Sequence, residues 1–262
     1  MRLFRIFLLH FQSIAQHRTR SLVWFLLSLF NPFMLLLFWT ASAKDNQLGI
    51  DLTVISTYYL LLVLGGSTLM AHQEEDVAVM DIQKGALVKY LLRPIPYYFM
   101  RFSEEMHYRI LQGGYGIVAI IILSNIFQIS LKFVSDPLFL VLALVSCVLA
   151  YLLSFTYKML LGILAFWLIE TRAIFEFAEV VTLILCGFLV PLDLLPSWLK
   201  LVAQLTPFPY MIYYPLSALI GQFSLYGLAS ILAIQACWLG VFFLTYKLVF
   251  GAGIKRFTAV GQ

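Results

Sequence analysis

Long apolar runs, broken by one charged stretch, set what this chain can fold into. The runs cover residues 22–41, 52–70, 110–129, 138–169, 177–190 and 225–250. A helix needs about 20 apolar residues to cross the hydrocarbon core of a bilayer, so most of these runs have a span's length. A transmembrane barrel would alternate polar and apolar residues in short strands, and these runs do not alternate. The chain is 62% hydrophobic and 11% charged. A soluble domain has about 45–50% apolar and about 25% charged residues. Its mean hydropathy is +0.94. The expected fold is therefore an all-α polytopic membrane protein. Residues 1–262 form one transmembrane domain with six transmembrane helices.

The first run follows Arg2, Arg5, Arg18 and Arg20, and Ala41-Ser42-Ala43 has the small residues of a signal cleavage site. From Leu22 to Thr40 it is nineteen residues long, whereas a signal h-region has about 7–15. A retained span is expected, kinked at Asn31-Pro32. Upstream, Phe4, Phe7, Phe11 and Ile14 recur at helical spacing, with Arg5, Gln12, Gln16 and Arg20 on the other side. That predicts an interfacial helix over residues 1–20, with its cations among lipid headgroups. Gly65-Gly66, and Gly113, Gly114 and Gly116, offer close helix approach. The run 138–169 is too long for one upright span, and a single long, tilted or broken helix is expected. Lys158 inside it either snorkels or faces the bundle interior. Cys147, Cys186 and Cys237 all fall in apolar runs and read as buried small side chains.

Between Pro191 and Pro215 lie five of the nine prolines: Pro191, Pro196, Pro207, Pro209 and Pro215. The segment is still apolar, with Trp198, Phe208, Tyr210, Tyr213 and Tyr214. No continuous helix can hold so many prolines. Broken helices that dip into the membrane and return are expected here, before the last span. Asp193 is read as a cap for one of them.

The charged stretch, Ala71 to Arg109, holds five of the seventeen Lys and Arg and six of the thirteen acids. Suppose the N-terminus is cytoplasmic. The inner segments then collect thirteen cations, and the outer ones hold only Lys44, Lys132 and Lys200. By the positive-inside rule both termini and the charged stretch face the cytoplasm. His72, Glu74, Glu75 and Asp76 match no metal-ligand spacing and read as a solvated acidic loop. Glu176 lies four residues after Arg172 and can pair with it. Glu179, one turn on, is read with them as part of an interfacial salt-bridge group.

Four patches, in order, give a family resemblance. The first is His17–Arg20 ahead of the first span. The second is Asp81–Gly85 (DIQKG) with Tyr90–Pro94 (YLLRP). The third joins Gly187–Pro191 (GFLVP), Leu195–Trp198 (LPSW), Pro207-Phe208 and Tyr214-Pro215. The last is Arg256–Gly261 (RFTAVG). In this layout the chain resembles the membrane subunit of ABC-2-type exporters, in particular six-span bacterial permeases encoded apart from their ATPase. The resemblance implies a dimeric translocation path in the cytoplasmic (inner) membrane. The second permease is the same chain or a related one. The resemblance also implies an ABC ATPase docked on the loop between spans 2 and 3. The implied coupling residues are Asp81, Gln83, Lys84, Gly85, Leu87, Tyr90, Leu91, Arg93 and Pro94. The implied re-entrant segment carries Pro191, Pro196, Trp198, Pro207, Phe208 and Pro215. Membrane lipid is a partner, and nucleic acid is not.

A short helix between two spans can pass a partner's motion on if it is rigid and fits a groove. Asp81 suits the start of such a helix as an N-cap, and Pro94 and Pro96 stop it. Leu87, Tyr90 and Leu91 share one face as anchors, with Lys84 and Lys89 beside them. The same segment also reads as an interfacial helix lying on anionic lipid. No G-x-x-x-x-G-K-[ST] phosphate loop occurs, nor H-E-x-x-H or G-x-S-x-G. No cofactor is therefore expected on this chain, with ATP and Mg on the partner ATPase. The chain itself is read as a transporter subunit, not an enzyme. An ion-coupled secondary transporter is the alternative. Such folds show inverted repeats and midplane charges, and no repeat is visible here. A membrane-embedded lipid-modifying enzyme would need a nucleophile or an acid–base pair, and no such constellation is present.

Overall fold

The computed structural model describes residues 18–44 and 51–257. The expected interfacial helix over 1–20 and the end of the Arg256–Gly261 patch fall largely outside the described residues. Among the described residues all regular secondary structure is helical, with no strand.

Helix α1 (Arg18–Lys44) runs through Pro32 as one 27-residue helix. Helix α2 (Leu52–Thr68) starts on Asp51, whose carboxylate accepts from the Thr53 amide at 2.9 Å. This helix is buried on nearly every side from Ile55 to Ser67. Helices α1 and α4 and the short α8 surround it. After it come a π-helix (Asp76–Gln83) and the one-turn α3 (Val88–Leu91).

Helix α4 (Tyr97–Ile126) is 30 residues long, or about 45 Å. It begins thirteen residues before the expected start at Ile110. Pro94 and Pro96 prevent an earlier start, and Pro96 is its N-cap residue. About a third of the charged stretch is thus a helical extension of a span. Where α4 passes α2, a Cβ on Gly116 would lie 2.8 Å from the Leu64 side chain and 3.2 Å from its Cα. The backbones meet there because Gly has no Cβ. At Gly114 a Cβ would meet nothing, so that glycine is not a packing contact.

Helix α5 (Pro137–Ile163) is capped by Asp136, which accepts from Leu138 N at 2.8 Å, with Pro at the first position. It tightens into a 3₁₀ turn at Leu164–Phe166. The run 138–169 is therefore one long helix with a short irregular end. Helix α6 (Arg172–Leu185) has 14 residues.

The proline-rich segment is broken, as its sequence demands. A 3₁₀ turn (Leu192–Leu194), α7 (Ser197–Gln204), a second 3₁₀ turn (Phe208–Tyr210) and α8 (Tyr213–Ile220) follow one another. Pro191, Pro196 and Pro207 each immediately precede one of these pieces, and Pro215 sits in the first turn of α8. At these positions the missing N–H costs nothing. Gly221, with φ +81°, stops α8.

Helix α9 (Leu225–Ile254) is 30 residues long and packs along α5. Buried Gln235 of α9 donates to Ser146 O of α5 at 3.1 Å and to Tyr210 O of the second 3₁₀ turn at 2.9 Å. Four helices, α1, α4, α5 and α9, are long and apolar enough to cross a membrane. At 17 and 14 residues, α2 and α6 reach only about 26 and 21 Å. Six full-length spans, as expected, are therefore not all present as single long helices. Helix α6 starts just after the charged turn at Glu170 and ends shortly before Gly187, whose φ is +84°.

Candidate coupling site at the charged stretch

The stretch after α2 lies against α5. The Ala71 amide donates to Ser154 Oγ at 2.9 Å, and Gln73 Nε2 donates to Phe155 O at 3.2 Å. Lys158, only 1% exposed, reaches Glu74 at 2.6 Å and Glu179 of α6 at 2.8 Å. A cation in an apolar helix needs such counter-charges, because an unpaired buried charge is very costly. Burial pushes the Glu74 carboxyl above its ordinary range, and Lys158 pulls it only part of the way back. One turn below, a Cβ on Gly162 would lie 2.7 Å from Val77 Cβ and 2.9 Å from Glu74 O. The stretch thus sits directly on the backbone of α5.

A second cluster fastens the π-helix to α4. Asp81 is fully buried and accepts from Tyr97 Oη at 2.5 Å and Arg101 Nε at 2.6 Å. It also pairs with the Arg101 guanidinium. Burial raises its carboxyl above the usual range, against the pull of Arg101 and Tyr97. Arg101 continues to Glu104 at 3.1 Å, and the Tyr90 hydroxyl donates to Glu104 at 2.8 Å. The Tyr90 ring meets Tyr97 edge-on at 5.2 Å, with Arg101 5.3 Å from its centroid. A third tie is Arg109, which donates to Glu105 at 2.5 Å and to Ser67 O at 2.9 Å. It also reaches His72 Nδ1 at 3.0 Å.

These contacts sort the sequence-predicted residues into two sets. Asp81, Leu87 and Tyr90 face inward and are buried. Asp81 lies inside the π-helix and carries no N-cap role. Leu87 and Tyr90 are anchors for this chain's own core, so the shared outward face with Leu91 does not form. Gln83 is half-buried and donates to Ile169 O at 2.8 Å, joining the π-helix to the turn before α6. Gly85, at φ +76°, turns the chain. Lys84, Lys89, Leu91, Arg93 and Pro94 are exposed, and Leu92 is 81% exposed. The result is a clamped base with an open tip.

At the other end of α2, the Tyr58 hydroxyl donates to Gly187 O at 2.8 Å and the Tyr59 hydroxyl to Leu189 O at 3.0 Å. Pro191, Pro196 and Pro207 set the corners of the segment, and Phe208 meets Tyr157 edge-on at 5.5 Å. Trp198 is 68% exposed on α7. Asp193 is not a helix cap. It accepts from Lys200 at 2.8 Å and from the Tyr213 hydroxyl.

A family model described as ABC-2 family transporter protein matches residues 23–261. The chain belongs to the ABC-2 transporter family. No curated protein matches it. As an ABC-2 family member it is a multi-pass membrane protein with a permease role, not itself a catalytic enzyme.

Two groups of this ABC-2 permease escaped sequence reasoning. Tyr97, Arg101 and Glu104 looked like loop residues, yet their i, i+4, i+7 spacing puts them on one helical face. The second group is Lys158 with Glu74 and Glu179. The signal was Lys158 itself, since a cation deep in an apolar run implies acidic partners. Glu74 therefore leaves the solvated loop, while His72, Glu75 and Asp76 stay exposed. Arg172 pairs with Glu176 at 2.8 Å on the surface, whereas Glu179 turns inward to Lys158. Among the described residues, no group of three or more His, Cys, Asp or Glu is arranged to hold a metal ion.

Proposed function

We propose that this chain is the permease subunit of an ATP-driven exporter. It pairs with a second permease, the same chain or a related one, to form the translocation path. A separate ATPase, which carries ATP and Mg, drives it through the stretch between α2 and α4. Helices α1, α2, α4, α5, α6 and α9 supply six crossings, with both termini and the charged stretch in the cytoplasm. The proline-rich pieces α7 and α8 form the re-entrant segment at the opposite face of a bacterial inner membrane.

The observation that supports coupling is the clamped base with its open tip. Ion pairs join the base to α4, α5 and α6, so a push on the tip reaches three helices at once. The exposed tip, with Lys84, Lys89, Leu91, Leu92, Arg93 and Pro94, offers apolar and cationic groups for a partner groove. The ion-coupled alternative needs a charge free to change its proton during transport. Lys158 is instead held between two carboxylates.

The test is co-purification with an ABC ATPase of the same cell, together with ATPase activity in the reconstituted complex. The double variant K89E/L92D should lose the ATPase while keeping the wild-type elution profile. Substrate movement in vesicles that hold this chain and no ATPase would overturn the reading.

A further inference from the structure

A cleft of about 720 Å³ opens between the Tyr90–Phe99 segment and the last turns of α9. A volume of about 300–1,000 Å³ is typical of small-molecule sites. Its wall is largely aromatic. Tyr97 stacks on Phe250 at 5.4 Å, Tyr246 stacks on Phe250 at 5.4 Å, and Tyr98 meets Phe243 edge-on at 5.2 Å. Two cations, Arg93 and Lys247, line it, and no carboxylate does. Neither cation has an ion-pair partner among the described residues. Lys247 hangs over the Phe243 ring at 4.7 Å.

Depth identifies the occupant. Lys247 lies twenty-two residues beyond Leu225, the first residue of α9. At 1.5 Å per residue that is about 33 Å, one hydrocarbon thickness. If α9 starts at one face of the bilayer, the cleft opens at the headgroup level of the other. Aromatic rings and cations are the side chains that favour this level. An apolar wall topped by two unpaired cations matches an acyl chain joined to a phosphate. A choline headgroup would cancel the phosphate charge and lose much of that attraction.

We propose that this cleft binds one anionic phospholipid. Arg93 and Lys247 take its phosphate, and an acyl chain lies on Phe99 and Phe243. The inference rests on α9 crossing the membrane and does not depend on the ATPase. It places a lipid between the tip segment and the last helix.

The test uses the full chain, purified and placed in lipid nanodiscs or detergent, with no ATPase present. Binding of dioleoyl phosphatidylglycerol and of dioleoyl phosphatidylcholine is followed by native mass spectrometry and by the shift in melting temperature. The phosphatidylglycerol should be retained and should raise the melting temperature, and the phosphatidylcholine should do neither. Each cation near a charged lipid contributes enough that R93Q/K247Q should bind phosphatidylglycerol about 10- to 30-fold more weakly. The variant G251L approaches from the other side. A side chain at Gly251, which lines the cleft, meets open space within 4 Å of its Cβ. Leu there should intrude on the apolar wall and weaken retention with both cations in place. The charge-matched K132Q/K200Q should retain phosphatidylglycerol as wild type does. Equal retention of the two lipids, or full retention by G251L, would overturn the proposal and leave only the general lipid annulus. Should R93Q/K247Q fail to fold, G251L alone decides.

Discussion

The two regions at either end of α2 are fastened by different chemistry. After its last residue, the charged stretch is held by Lys158–Glu74, by Asp81–Arg101 and by Arg109 of α4, which reaches Ser67 O and His72. Near its first residues, the segment from Gly187 to Gly221 is held mostly by neutral hydroxyls on backbone carbonyls and by ring contacts, with one charged group, Asp193, which takes Lys200 and the Tyr213 hydroxyl near the surface. Tyr58, Tyr59, Tyr210, Tyr213 and Tyr214 supply most of these. Ion pairs in a buried site concentrate energy in a few atoms and fail sharply when one partner is lost. Ring contacts spread it over area, so single losses are mild. The first region is built to hold one geometry under load. The second is built to keep an irregular backbone satisfied.

Substitutions can break or sharpen that contrast, and the greatest loss of stability should come from Lys158. K158M strands Glu74 without its cation, at a cost of about 3–5 kcal/mol. A thermal or denaturant melt of the purified chain reads this, and the double variant K158M/E74Q should recover part of it. Next is R101M. Asp81 keeps its Tyr97 bond, so the expected loss is smaller, about 2–3 kcal/mol. A loss under about 1 kcal/mol in both cases would mean that the charged clusters are no stiffer than the aromatic end.

At the other end, Y58F removes one neutral hydrogen bond, to Gly187 O, and should cost about 0.5–1.5 kcal/mol. K89E/L92D at the exposed tip should change stability by no more than about 0.5 kcal/mol. Its effect belongs in ATPase co-purification, which separates the tip from the base beneath it. The smallest effect is the pH response of Asp193. Burial pushes its carboxyl up, but the bonds from Lys200 and Tyr213 outweigh burial and hold it below the usual range. A depressed carboxyl contributes stability above its unfolded pKa, and that contribution disappears as pH falls through the folded one. Melting temperatures taken between neutral pH and about pH 3 should fall slightly less for D193N than for wild type.

Much of this fold was legible because its signals are local. Continuous apolar runs marked the helices, and the prolines of 191–215 marked the breaks. What was not legible depends on which side of an element meets the body of the protein. Spacing put Leu87, Tyr90 and Leu91 on one face but did not say that the first two point inward. That is decided by Tyr97, Arg101 and Glu104, and their helix was hidden because its charges resemble a loop's. Asp81 looked like a cap because a carboxylate before an apolar turn often is one. Its actual partners lie sixteen and twenty residues further on, beyond the reach of any local pattern. Lys158 announced a need for acids but not which ones.

Helix α4 carries a consequence of its own. It is continuous from Tyr97, beside Asp81, to Ile126. No hinge separates the residues that grip the charged stretch from those that line α2. A tilt of about 10° about the middle of a 45 Å rod moves each tip by about 4 Å, in opposite directions. Displacement at one surface would therefore arrive at the other immediately and reversed in sense, with no intermediate bending to absorb it. Substituting the exposed Ile117 and Val118 by glycine keeps the helical register but loosens the rod, and should weaken the coupling of the two surfaces while leaving each of them intact.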